Sequence, residues 1–179
     1  MYSEILILAL LKQRPRHGYE IKKDVENVLG GTAALNNKTL YPALKHFEET
    51  GAVVREVITQ VGRPDRHLYQ ITERGIELLQ AYLRDFPAEL AASESEFFTR
   101  VAFFDYLEPQ QQEEILKTRQ AYIQACLEHL HKLQQWATSE DEANSNPQRI
   151  LAFHLQRARN EYQWIAAWLE EIQAQTQTE

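Results

Sequence analysis

Cysteine is nearly absent. Cys126 stands alone in 179 residues, which excludes an internal disulfide framework and fits a reducing compartment. Glycine and proline number six each, few for an all-β or collagen-like chain. No apolar run approaches the roughly 18 residues a membrane span needs. The apolar stretch 5–11 has no basic segment before it and ends at Lys12, so it reads as a helix of the fold and not as a signal peptide. The pattern implies a soluble, cytoplasmic protein without a membrane partner. Motifs for common chemistries are missing too. There is no H-E-x-x-H, no Walker loop and no G-x-G-x-x-G, and no serine sits in a nucleophile-elbow pattern. Cys126, Glu128, His129 and His131 crowd one segment, but on a helix His131 projects roughly 160° away from His129, so the ligands cannot converge. No catalytic site, metal site or cofactor is expected, and the chain does not read as an enzyme.

What is present is an ordinary globular composition, 44% hydrophobic and 25% charged, in a chain long enough to bury a core without a staple. The net charge of −7 is unevenly spread. Residues 1–86 carry 12 Lys and Arg against 11 Asp and Glu, whereas residues 87–179 carry 7 against 15. An acidic second half beside a balanced first half points to two domains with different partners.

Periodicity predicts a helix over 2–13, broken at Arg14-Pro15-Arg16 because proline disfavours helix in the residue before it. A second helix spans 17–29, with Ile21, Val25, Val28 and Leu29 on one face, and Gly30-Gly31-Thr32 ends it. Asn36 and Asn37 offer an N-cap to a third helix over 38–50, whose inward residues are Leu40, Leu44 and Phe47. Residues 53–59 and 66–71 are β-branched and alternating, and they bracket a Gly- and Pro-bearing turn, which is a hairpin signal. Thr72 caps a fourth helix running to Arg84. Three helices, a hairpin and a helix make the winged helix-turn-helix order.

The boundary falls at Phe86-Pro87. Three helices are expected beyond it, over 88–106, 109–136 and 148–173, giving a mainly α fold with one small β-hairpin. The last helix repeats Leu151, Leu155, Ala158, Tyr162, Ile165, Leu169 and Ile172 at spacings of 4 and 3, an a/d seam over three heptads.

Several stretches together resemble the PadR family of transcriptional regulators. They are His17-Gly18-Tyr19-Glu20-Ile21, Thr39-Leu40-Tyr41-Pro42-Ala43-Leu44-Lys45, Glu48-Glu49-Thr50-Gly51, Gly62-Arg63-Pro64-Asp65-Arg66, and Tyr69-Gln70-Ile71-Thr72 with Gly75. His67 departs from the basic residue expected there. The resemblance implies a winged helix-turn-helix domain over 1–86, a helical dimerisation domain over 87–179, and a DNA-binding repressor often relieved by a small molecule.

In such a fold the start of the recognition helix meets base edges in the major groove. Lys38, Thr39, Tyr41 and Lys45 occupy that position. Lys38, Tyr41 and Lys45 are i,i+3 and i,i+4 neighbours on the strip opposite the apolar face. Lysines neutralise phosphate or meet guanine acceptors, and hydroxyls serve either. Tyr41 has a second reading, packing on the second helix. Arg63 and Arg66 at the wing tip suit phosphate or minor-groove contact. Tyr19, at the N-terminus of the second helix, either adds a hydroxyl to a phosphate site or enters the core.

The heptad seam either packs within the chain against the 109–136 helix or crosses to another subunit. A two-fold dimer reading an inverted repeat in double-stranded DNA is the favoured expectation. Trp164 and Trp168 are i,i+4 neighbours able to stack a flat effector, though aromatic stripes more often form core. The alternative function is a winged-helix adaptor that binds proteins, which should show an apolar patch on the same face.

Overall fold

The computed structural model describes residues 1–28, 35–59, 66–136 and 145–176. The chain divides into two compact units, Met1–Phe86 with Ser93–Glu108, and Pro87–Ala92 with Pro109–Glu179.

In the first unit, α1 (Tyr2–Gln13) is buried along seven consecutive residues from Ile5 to Leu11. A helix apolar on every side must be surrounded. It packs against α2 (Gly18–Val28), α3 (Asn37–Glu49), α4 (Glu73–Arg84), α5 (Glu94–Val101) and the sheet. The whole circumference of this stretch of α1 is buried.

The hairpin comprises β2 (Val53–Ile58) and β3 (Arg66–Ile71), antiparallel in a register that pairs Val53 with Ile71 and Ile58 with Arg66. A third strand, β1 (Arg16–His17), pairs with β3 and gives the order β1-β3-β2. The expectation of a two-stranded hairpin therefore misses a strand. The Arg14-Pro15-Arg16 break leaves the chain extended, with Arg14 at φ −167° and ψ 157°, so Arg16 and His17 can pair. The buried Arg16 is held by Asp24 at 2.8 Å and Gln13 at 2.9 Å, which fixes this strand against α1 and α2.

Thr72 caps α4 by accepting from the Gly75 N–H at 3.2 Å and donates to the Gly51 carbonyl at 2.7 Å. Gly75 is required there, because a Cβ would lie 2.1 Å from the Ala52 carbonyl oxygen.

The helix expected over 88–106 is broken into a 3₁₀ turn at Ala88–Leu90, α5, and a second 3₁₀ turn at Phe104–Tyr106. Ser93 interrupts it by accepting from the Glu96 N–H at 3.3 Å, an N-cap that starts a new helix. The fully buried Arg100 joins α5 to the end of α4. It donates to the Tyr82 and Asp85 carbonyls at 3.2 and 2.7 Å, and to Glu96 at 2.7 Å. Those carbonyls belong to the end of a helix, where backbone acceptors lack partners.

In the second unit, α6 (Pro109–Trp136) packs along α7 (Asn146–Thr176). Ile123 and Leu127 of α6 form a buried cluster with Leu155 and Ala158 of α7, flanked by Tyr122, Leu130, Leu151 and Tyr162. Buried Arg119 donates to Glu161 at 2.7 Å and to the Ala91 carbonyl, tying both helices to the first 3₁₀ turn.

No helix among the described residues is long and apolar enough to cross a membrane.

Candidate nucleic-acid interface

Asn36 caps α3 by accepting from the Thr39 N–H at 3.0 Å. Leu40, Leu44 and Phe47 are buried at 0–1% exposure, in the orientation read from their spacing. That orientation leaves Lys38, Tyr41 and Lys45 exposed on one strip. Lys45 is largely exposed, and its ammonium lies 3.6 Å from Glu49, one turn on. Thr39 is placed differently: its hydroxyl turns back to Asn36 Oδ1 at 3.3 Å, so it serves the cap.

Tyr41 packs on the second helix and stays half-exposed. Its ring rests on Gly18, the first residue of α2, and is still 48% exposed. Tyr19 is 60% exposed and does not enter the core. It stacks on His17, with centroids 5.7 Å apart. His17 Nδ1 lies 2.9 Å from the His67 carbonyl, which fastens the start of α2 to β3. The His17 N–H donates to Glu20 at 2.8 Å. That backbone bond, helped by Arg14, holds the Glu20 carboxyl below the usual range.

His17, Tyr19, Tyr41, Arg66, His67 and Tyr69 line a recess of about 180 Å³. Arg66 is exposed at the start of β3. Arg63 lies outside the described residues. Tyr41, His67 and Tyr69 also line a neighbouring cleft of about 570 Å³, together with Lys45, Glu48, Glu49 and Arg55. The two hollows thus form one groove from the start of α2, along α3, to β2. It is lined by the cations Lys45, Arg55 and Arg66 and by three tyrosines, two of them exposed. The chemistry matches a polyanion backbone: point charges, a guanidinium fork and hydroxyl donors.

Sequence reasoning missed Arg55. Its signal lay in strand parity, since Arg55 pairs with Tyr69 and Val57 with His67, which places all four on one face.

In the second unit the heptad seam read as a dimer interface is largely buried within the chain. Leu155, Ala158, Ile165, Leu169 and Ile172 are buried within the chain, and Leu151 and Tyr162 are half-buried beside them. The first part of the seam, at Leu155 and Ala158, is filled by Ile123 and Leu127 of α6, an equally apolar partner without the entropic cost of association. Exposed apolar residues lie elsewhere on α7: Ile150 at 58%, Phe153 at 62% and Trp164 at 41%. They fall within about 60° of each other, roughly a third of a turn from the seam. Trp164 meets Trp168 edge-on, with centroids 5.3 Å apart. Among the described residues no group of three or more His, Cys, Asp and Glu is placed to hold a metal ion.

Residues 7–81 match the model of the "Transcriptional regulator PadR-like family". Over 174 residues, 94% of this chain and 93% of the relative, the sequence is 25% identical to the "Negative transcriptional regulator PadR" of Bacillus subtilis (strain 168). Two crystal structures of Bacillus subtilis PadR are similar to this chain. One is a complex with operator DNA, with 21% identity, 94% of this chain and 98% of that one covered, and a TM-score of 0.45. The other is a complex with p-coumaric acid, with 20% identity, 97% and 99% covered, and a TM-score of 0.43.

Proposed function

From the premise that this chain carries a PadR-like transcriptional-regulator domain at residues 7–81, we propose that it is a sequence-specific DNA-binding repressor. One observation carries the reading: Leu40, Leu44 and Phe47 anchor α3 so that Lys38, Tyr41 and Lys45 project together, at the edge of a groove that also holds Arg66. α3 enters the major groove, Lys45 and Tyr41 meet base edges or flanking phosphates, and Arg66, with Arg63, follows the backbone at the wing. Tyr19, beside the N-terminus of α2, adds a phosphate contact. Repression rather than activation follows the name of the Bacillus subtilis relative.

The protein binds an inverted repeat as a two-fold dimer, because one recognition helix covers only part of a site. The face of α7 carrying Ile150 and Phe153 supplies the contact with a second copy, since exposed apolar residues of this size on one helix face favour association. A small molecule relieves repression from the helical unit, and the Trp164–Trp168 pair reports its arrival as a change in fluorescence.

The adaptor alternative draws on exposed Val54, Val57 and Ile58 of β2. Strand alternation puts Val57 on one face and Val54 and Ile58 on the other, so they form no single apolar patch.

Selection of source-genome fragments by the purified protein, sequenced at low and near-physiological salt, tests the proposal. Enrichment of one inverted repeat that survives the higher salt is the expected result. Binding that disappears with no enriched sequence would put the adaptor reading first.

A further inference from the structure

The DNA face read from the sequence consists of the start of α3, the wing tip and Tyr19 at the start of α2. The groove continues past these to β2, where Arg55 stands. Its Nε lies 3.2 Å from Glu48 of α3, and its side chain keeps 40% of its exposure. Arg55 also lies beside the Tyr69 hydroxyl: burial raises that phenol's pKa and the guanidinium opposes the rise. Two residues on different elements therefore hold one arginine at the mouth of the cleft it shares with Lys45 and Tyr41.

The geometry points to Arg55 as a further DNA-backbone contact, with Glu48 as the residue that positions it. The ligand is a phosphate of the strand flanking the bases that α3 reads, and the inference rests on the DNA-binding reading above. An arginine offers five N–H donors in a fixed plane. Glu48 engages Nε, which orients the fork while other donors remain for a phosphate oxygen. An exposed ion pair of this kind contributes little stability. Its effect is to reduce the rotamer freedom that an exposed arginine would otherwise lose on binding. Lys45 stands in a similar relation to Glu49 at 3.6 Å, but that pair lies within one exposed helix face and ties nothing together.

The experiment titrates wild type, Lys45→Ala, Arg55→Ala, Arg55→Lys and Glu48→Gln with the selected operator duplex at several salt concentrations, with thermal melts of each variant. Arg55→Ala is expected to weaken binding on the order of tenfold near 0.1 M salt and to reduce the salt slope by about 0.9, the value for one phosphate contact. It should do so equally for operator variants, because phosphate contacts carry no sequence information. Arg55→Lys should restore the slope and only part of the affinity. Glu48→Gln should leave the slope near wild type and weaken binding several-fold.

A purely structural role predicts the reverse pattern: a lowered melting temperature with the wild-type slope. Arg55→Ala binding with wild-type slope while Lys45→Ala loses slope would overturn the assignment and leave the DNA-binding reading standing. Wild type without salt-dependent DNA binding would overturn both.

Discussion

The Tyr41 ring lies against Gly18, so closely that a Cβ there would come within 3.1 Å of Tyr41 Cε1 and 3.3 Å of its hydroxyl. The glycine hydrogen makes room for an aromatic ring between α2 and α3. Gly18→Ala should push the half-exposed ring outward by a few tenths of an ångström. Stability should change little, because alanine gains up to about 1 kcal/mol of helix propensity over glycine. Operator affinity should fall, because the displaced ring is a proposed DNA contact. Anisotropy titration beside a thermal melt separates the effects; unchanged affinity would remove Tyr41 from the contacts.

Leu44 and Lys45 are adjacent in sequence and opposite in surroundings, 1% exposed against 77%. Leu44→Ala should destabilise the fold by about 2–5 kcal/mol, the range for emptying a well-packed site. Lys45→Ala should leave the melting temperature within about a degree, since its exposed i,i+4 pair with Glu49 contributes only about 0.3–0.5 kcal/mol. The same variant should lose operator affinity and salt dependence. Denaturant unfolding and binding isotherms on both variants check the orientation of α3.

These two residues also mark what periodicity could tell. The inward set Leu40, Leu44 and Phe47 follows from spacing alone, because one helix face must be apolar whatever it packs against. The partner of that face is a different question, and α7 illustrates it. Its stripe reads as a two-helix seam, but nothing in residues 151–172 states whether the second helix is α6 of the same chain or α7 of another. Arg100 was equally opaque. It is buried by partners far away in sequence, Tyr82 and Asp85. Charged residues normally stay at the surface, so a local reading leaves it there. Arg119 falls on the inward stripe of α6 by spacing, but its partners Ala91 and Glu161 are not given by that spacing. β1 was missed because two residues carry no periodicity. Arg55 was assigned no role because its meaning depends on register with Tyr69 and proximity to Glu48.

The burial of the α7 seam carries its own test. Leu155 is 3% exposed and Phe153, two residues earlier, is 62% exposed. Leu155→Ala should cost about 2–5 kcal/mol and loosen the packing of α6 on α7. Phe153→Asp should leave helical content and melting behaviour of the subunit intact while shifting the protein from dimer to monomer in light scattering. A dimer that survives Phe153→Asp and Ile150→Asp together would place the subunit contact on another surface.

Glu96 supplies the pH dependence. Burial raises its pKa, but the hydrogen bonds from Arg100 and from the Tyr2 N–H outweigh burial, so the carboxyl titrates below its ordinary value near 4.5. A folded-state pKa below the unfolded one means more protons bind on unfolding in acid. The contribution is therefore complete above the unfolded value and disappears as pH falls through the lowered folded value. Glu96→Gln should remove this part of the acid sensitivity, so that urea stability falls less steeply from about pH 5 to about pH 3. It should also lower stability at neutral pH by about 3–5 kcal/mol, the range for leaving one member of a buried ion pair without the other. The neutral-pH loss has a specific origin, because Arg100 has no solvent exposure to fall back on and its remaining acceptors are the carbonyls of Tyr82, Asp85 and Glu96. Equal acid slopes in wild type and Glu96→Gln would assign the acid sensitivity to other carboxylates, and a small loss at pH 7 would mean that those carbonyls alone satisfy the guanidinium.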